Sequence, residues 1–182
     1  MTTSQPASAY DMPGAKVAES TATFALLVDN EPGVLHRVVG LFAARGYNIE
    51  SLTVAETDRR AHTSRITVVT RGTPQVLEQI EAQLQKVIAV RRVQDVTRDP
   101  NGVERELALI KVRGEGADRV EALRVADIFR ARVIDTTAQS FVFELTGAPS
   151  KIDSFVELMR PMGLVELSRT GVLSIERGAE SM

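Results

Sequence analysis

The chain has 182 residues, 43% apolar and 25% charged, with a net charge of −2 and a pI near 5.8. That length suits one medium domain or two of roughly 75 residues each. The near-neutral charge argues against a nucleic-acid surface, which needs gathered Lys and Arg, and the lack of cysteine excludes disulfides, thiolate catalysis and cysteine-ligated metal.

Residues 1–21 are rich in Ser, Thr, Ala and Pro and have no basic start leading into an apolar core. The expectation is a disordered tail, not a secretory leader. No run approaches the 18 or more apolar residues of a membrane span, so a cytoplasmic protein without membrane contact is expected.

"TATFALLVD" (21–29) is a short apolar run suited to a buried strand. Val34, Leu35, Val38, Val39, Leu41 and Phe42 then form one helical stripe. Arg45 in the last turn and Gly46 after it predict a left-handed cap, with Tyr47 packing back on Leu41 or Phe42. "NIESLTVAET" (48–57) reads as a strand whose apolar phase shifts, which predicts a bulge near Glu50-Ser51. "SRITVVT" (64–70) is a second alternating strand. Thr73-Pro74 opens a helix marked by Val76, Leu77, Ile80, Leu84, Val87 and Ile88. "VRRVQDVTR" (90–98) closes a β-α-β-β-α-β unit.

"DPNG" (99–102) marks a linker, taken as 99–103, after which the order repeats. "ERELALIKVRG" (104–114) is a strand. Val120, Leu123, Ala126 and Phe129 predict a helix face. Residues 131–138 and 140–147 read as paired strands, with Phe141, Phe143 and Leu145 on one face. Ile152, Phe155, Val156, Met159 and Met162 mark a second helix. Residues 164–177 form one bent strand or a hairpin about Thr170-Gly171. The fold expected is α+β, two ferredoxin-like βαββαβ domains at 22–98 and 104–178, with a short tail at 179–182. Each antiparallel sheet carries helices on one face, so its other face needs a cover from the other half or a second chain.

Catalytic chemistry is sparse. His36 and His62 have no metal-ligand spacing to another His or carboxylate, and no nucleophile elbow or phosphate loop is present. "GEGADR" (114–119) resembles a dinucleotide fingerprint, but Arg119 replaces the third glycine, and a loop with two permissive glycines is the simpler reading. Glu104 and Glu106 share a strand face, and a solvated edge is expected there over acid–base work.

The junction "DNEPGVL" (29–35) offers more. Pro32-Gly33 suits the centre of a type II turn with Gly33 at positive φ. The first helical N–H groups, around Val34, Leu35 and His36, lack intrahelical partners and lie at the positive end of the macrodipole. Gly33 has no side chain to keep a carboxylate away, and the Asn30 amide can donate or accept. Burying a small aliphatic tail on the helix contributes roughly 1.5–3 kcal/mol, and the helix end about 0.3–1 kcal/mol. Carboxylate, ammonium and apolar tail together describe a free amino acid. A plainer reading competes, in which Asn30 caps the helix and Pro32-Gly33 only turns the chain. Residue chemistry alone leaves both open.

"DNEPGVLHRVVGLFAARGYNIESLTVAETD" closely resembles the opening of the small regulatory subunit of acetolactate synthase (acetohydroxyacid synthase), and the resemblance runs over about residues 22–177. "SRITVV", "VLEQIEAQLQKVIAVRRV", "ERELALIKV", "ADIFRARVIDTT" and "ELTGAPSKIDSF" follow in the family's order. The first half resembles an ACT domain, an amino-acid-sensing module. The resemblance implies a subunit without catalysis of its own that binds and activates the large catalytic subunit. It implies feedback inhibition by valine or another branched-chain amino acid. Thiamine diphosphate, Mg and FAD would lie in that partner, with no cofactor in this chain. It further implies a homodimer through the ACT domains, with the effector at their interface. Asn30 and Gly33 would come from one protomer and Asn48 from the other. Val34 and Leu35 would add backbone amides and apolar contact, and Ile49 would line the side-chain pocket. The second half lacks a "DNEPG"-like loop and is assigned to contacts with the large subunit. The alternatives are a free-standing ACT-type sensor serving another partner, or an enzyme in its own right.

Overall fold

The computed structural model describes residues 18–179 and 182. Residues 1–17 of the expected N-terminal tail, and residues 180 and 181 of the C-terminal one, lie outside the described residues. The elements are β1 (Ser20–Asp29), α1 (Val34–Arg45), β2 (Ser51–Asp58), β3 (Thr63–Gly72), α2 (Pro74–Leu84) and β4 (Val90–Asp95), then β5 (Gly102–Arg113), α3 (Gly116–Phe129), β6 (Arg132–Thr136), β7 (Ser140–Gly147), α4 (Pro149–Met159), β8 (Leu164–Arg169) and β9 (Leu173–Glu176). The β-α-β-β-α-β order occurs twice, as two ferredoxin-like units. The first sheet has order β2-β3-β1-β4 and the second β6-β7-β5-β8, both antiparallel.

Alternation along the central strands builds two separate cores. Ala22, Phe24, Leu26 and Val28 of β1 face α1 and α2 with Ile66 and Val68 of β3. Ala108, Ile110 and Val112 of β5 and Phe141, Phe143 and Leu145 of β7 face α3 and α4. Local punctuation holds as the residues require. Gly46 takes φ 67° and ends α1, and the Tyr47 ring meets Phe42 edge-on at 6.3 Å. The Thr73 hydroxyl accepts from the Val76 N–H, with Pro74 opening α2.

Several boundaries differ from the sequence reading. The first strand starts at Ser20, so the last residues of the expected tail are strand, and Gly102 already belongs to β5. α2 stops at Leu84, and Ile88 is 79% exposed in the turn before β4. The β2 irregularity lies between Glu56 and Asp58 rather than at Glu50-Ser51, because β2 begins only at Ser51 and Ile49 packs on the core from the preceding segment. On α3 the buried face is Ala122, Val125 and Ala126, while Val120 is 67% exposed and Leu123 is also exposed. Of the predicted stripe, Ala126 is buried and Phe129 packs against the core, while the larger Val120 and Leu123 stand outside. Beyond β8 the chain does not form a hairpin. β8 pairs with Ala108–Val112 and β9 with Gly102–Arg105, successive stretches of the same β5.

That last arrangement answers how the first sheet is covered. Thr23, Ala25, Thr67 and Val69 on its open face are buried, as are Val172 and Ser174 at the β9 end of the chain. β9 lies against β1 and lays part of the second half over the first sheet. On the second sheet's open face, the Lys111–Glu166 ion pair is largely exposed.

Candidate functional site

The β1–α1 junction is held from two sides. The Asp29 N–H donates to the Ala89 carbonyl at 2.8 Å, and the Asn30 N–H to the His62 carbonyl at 2.7 Å. Both acceptors belong to non-glycine residues at positive φ, 76° at Ala89 and 47° at His62. Such conformations cost energy and persist where surrounding contacts impose them, often beside functional loops. His62 therefore serves through its backbone, and its side chain is exposed, as is His36. No group of three His, Cys, Asp or Glu side chains suited to a metal occurs among the described residues.

Gly33 sits at φ 89°, ψ −7°, and the Val34 N–H reaches the Glu31 carbonyl at 3.4 Å. This is the type II turn that Pro32-Gly33 predicts. Gly33 is also the N-cap of α1, with no side-chain cap, which removes the reading in which Asn30 caps the helix. The first intrahelical bond runs from the Arg37 N–H to the Gly33 carbonyl at 3.0 Å. The N–H groups of Gly33, Leu35 and His36 make no protein hydrogen bond among the described residues. There is no acidic residue in the first turn to satisfy the dipole internally, and a Cβ placed on Gly33 would meet nothing within 4 Å. An open, positively polarised helix end results, fit for a small carboxylate.

The two acids of the loop would repel such a ligand, and both are neutralised. Arg91 of β4 holds Asp29 at 2.6 Å, and Arg37 of α1 holds Glu31 at 2.7 Å. The Asn30 amide Nδ2 donates to Glu56 Oε1 at 3.2 Å, which leaves its Oδ1 free to accept from an ammonium group. Sequence reasoning missed these three partners. Arg91 and Glu56 lie 62 and 26 residues from the residues they hold, beyond any local pattern. Arg37 was legible, since a helical side chain one turn in leans back over the N-terminus.

The other expected site residues divide. Val34 is buried in the first core, so its side chain belongs to the fold, while Leu35 is 39% exposed beside the open N–H groups. Ile49 is half-buried against the first core. Asn48 is exposed, and its carbonyl accepts from the Thr70 hydroxyl at 2.6 Å. The twelve residues of α1 separate Gly33 from the Asn48 end, a span of about 18 Å at the helical rise. Within one chain, Asn30 and Gly33 therefore stand apart from Asn48 and Ile49 by more than a free amino acid can bridge.

The equivalent β5–α3 loop also has no side-chain cap but differs in its charges. Gly116 takes φ 56°, but Asp118 occupies the first turn of α3, and Arg119 lies over the Phe141 ring at 4.0 Å and bonds the Ala138 carbonyl and Thr136. The Asp118 carboxylate opposes a nucleotide phosphate there, and Arg119 is engaged elsewhere. Glu106 is not on a solvated edge as expected. It is 4% exposed and held by both Arg169 Nε at 2.8 Å and Nη2 at 2.5 Å, while Arg169 also takes Asp153 at 2.7 Å. These hydrogen bonds hold the Arg169 pKa well above its ordinary value.

Comparison with known proteins identifies the family. Residues 24–92 match the family model for the AHAS small subunit-like ACT domain, and residues 105–178 match that for the small subunit of acetolactate synthase. A probable acetolactate synthase small subunit of Archaeoglobus fulgidus is 47% identical over 156 residues, covering 86% of this chain and 96% of that protein. The acetolactate synthase isozyme 3 small subunit of Escherichia coli is 44% identical over 158 residues, again covering 86% and 96%. The crystal structure of the acetolactate synthase small subunit from Thermotoga maritima superposes with a TM-score of 0.76 at 38% identity, covering 88% of this chain and 99% of that one. With an ACT domain in its first half and the small-subunit domain in its second, the chain belongs to the family of acetolactate synthase regulatory small subunits.

Proposed function

We propose that this chain activates the large catalytic subunit of acetolactate synthase and carries its feedback inhibition by a branched-chain amino acid, valine first among them. The observation that carries the reading is the open N-terminus of α1, where three N–H groups without a partner among the described residues and a bare Gly33 lie beside neutralised acids. The effector carboxylate sits on those N–H groups, its ammonium on Asn30 Oδ1, and its tail beside Leu35. Asn48 and Ile49 come from a second protomer, because one helix length holds them away in the same chain. β2 is an edge strand with Val54 exposed, a place for a second copy to pair. In this division residues 22–98 sense the effector, 99–103 link, and 104–178 contact the large subunit. Thiamine diphosphate, Mg and FAD belong to that partner, and this chain supplies no step of the chemistry.

Inhibition then follows from linkage. An effector that binds one dimer arrangement more tightly shifts the population toward it, with coupling of roughly 1–3 kcal/mol. The test is the holoenzyme assay with and without this chain, across a valine titration. Activation with valine-dependent loss supports the proposal. A chain that neither raises large-subunit activity nor responds to any branched-chain amino acid contradicts it.

A further inference from the structure

The two halves meet at a turn as well as along β9. Ser51 opens β2, three residues after Asn48, and its Oγ accepts from the Val172 N–H at 3.2 Å. The Thr53 hydroxyl donates to the Thr170 carbonyl at 3.4 Å. Between these contacts Gly171 takes φ 83°, and a Cβ on it would lie 2.6 Å from Ser51 Oγ and 2.8 Å from Thr53 Oγ1. Only glycine satisfies both the conformation and the space.

The same turn is tied rigidly to the second half. The Thr170 N–H donates to the Leu107 carbonyl at 3.0 Å, and the Leu107 N–H to Thr170 Oγ1 at 3.1 Å. One residue earlier, Arg169 joins Glu106 of β5 to Asp153 of α4. A displacement at Ser51 therefore meets a continuous set of hydrogen bonds leading into the centre of the second sheet and one of its helices. Beside the turn lies a cleft of about 710 Å³, lined by Thr21, Glu50 and Arg71 from the first half and by Glu106, Asp153 and Arg169 from the second. Close-packed interiors resist rigid-body shifts, and an open cleft does not, so the contacts of the turn, together with β9 against β1, fix how the halves sit.

We propose that Thr170–Val172 is a latch that carries effector occupancy from the Asn48–Ser51 segment into the second half. The proposal rests on the effector reading above. Effector contact at Asn48 moves the start of β2, Ser51 moves with it, and the latch passes the shift to β8, β5 and α4.

The experiment compares parent, Ser51→Ala and Gly171→Ala chains by valine calorimetry and by inhibition of the reconstituted holoenzyme. Both variants bind valine as the parent does and still activate the large subunit, while the valine response of activity weakens about fivefold or more, the range of a typical allosteric coupling. Unchanged inhibition overturns the latch, and so does loss of valine binding, which would place the turn in the binding site itself. Hydrogen exchange on the parent gives a readout free of folding defects: valine must alter exchange at the Val172 and Leu107 amides, and no change there overturns the proposal. A parent that binds no branched-chain amino acid fails earlier, at the effector reading, and removes the latch with it.

Discussion

The two halves share an element order and differ at the same loop. In the first half the strand-to-helix junction leaves helix N–H groups open, neutralises the nearby acids and places a bare glycine outward. In the second half the N-terminus of α3 likewise has no side-chain cap and Gly116 is bare, but Asp118 puts a carboxylate in the first turn and Arg119 lies across Phe141. A ferredoxin-like frame thus leaves a helix end open in each half, and the charges around that end decide which one suits an anion. The two halves also differ in their open faces. The first is buried beneath β9, so the second half is structurally committed to the first.

The separation of the cores gives the largest expected effect. Phe143 is fully buried among Phe141 and Phe155. Phe143→Ala costs about 3–5 kcal/mol by urea denaturation, yet the folded fraction keeps its valine affinity because the first core shares no residue with the second. Next comes Arg169→Met, which strands Glu106. The expected loss is about 2–3 kcal/mol, below the range for a fully buried pair because Arg169 is one-third exposed. Thermal unfolding checks it, and the double variant with Glu106→Gln recovers part of the loss.

At the site itself, Asn48→Ala weakens valine binding by about tenfold, the worth of one to two hydrogen bonds, and leaves activation in place. The smallest effect is Arg91→Ala. It frees the Asp29 charge beside the carboxylate site and weakens binding by a few-fold, under about 1 kcal/mol. High salt reduces that difference, which marks it as electrostatic. The matching change in the second half, Arg119→Ala, leaves valine affinity untouched, and any effect of it on binding would break the contrast between the loops.

Much of this was legible from residue order. Alternation in "SFVFEL", the Thr73-Pro74 cap and the Pro32-Gly33 turn each act over a few residues, so local chemistry fixes them. The failures have a common physical origin. Val120, Leu123, Ala126 and Phe129 form the predicted stripe, but only Ala126 and Phe129 turn inward, with Ala122 and Val125 beside them, and tertiary fit sets which face is buried. Glu106 reads as a polar strand edge because its partner lies 63 residues away. The cover of the first sheet by β9, and the Ser51 contact with Val172 across 121 residues, leave no periodic trace at all. The candidate site was readable where backbone geometry makes it, at Gly33, and unreadable where distant side chains surround it, at Arg91 and Glu56.

The central claim is that the N-terminus of α1 is the carboxylate end of an amino-acid site. Calorimetric titration of valine into the parent chain and Gly33→Asp tests it most directly. A carboxylate at position 33 meets no protein atom near its Cβ, but φ 89° strains any side chain there, so it opposes the ligand through charge and occupancy at the helix end and through the turn it distorts. Binding by the parent with loss in Gly33→Asp, both chains folded by circular dichroism, is the predicted result. Equal affinity of the two chains for valine would contradict the account.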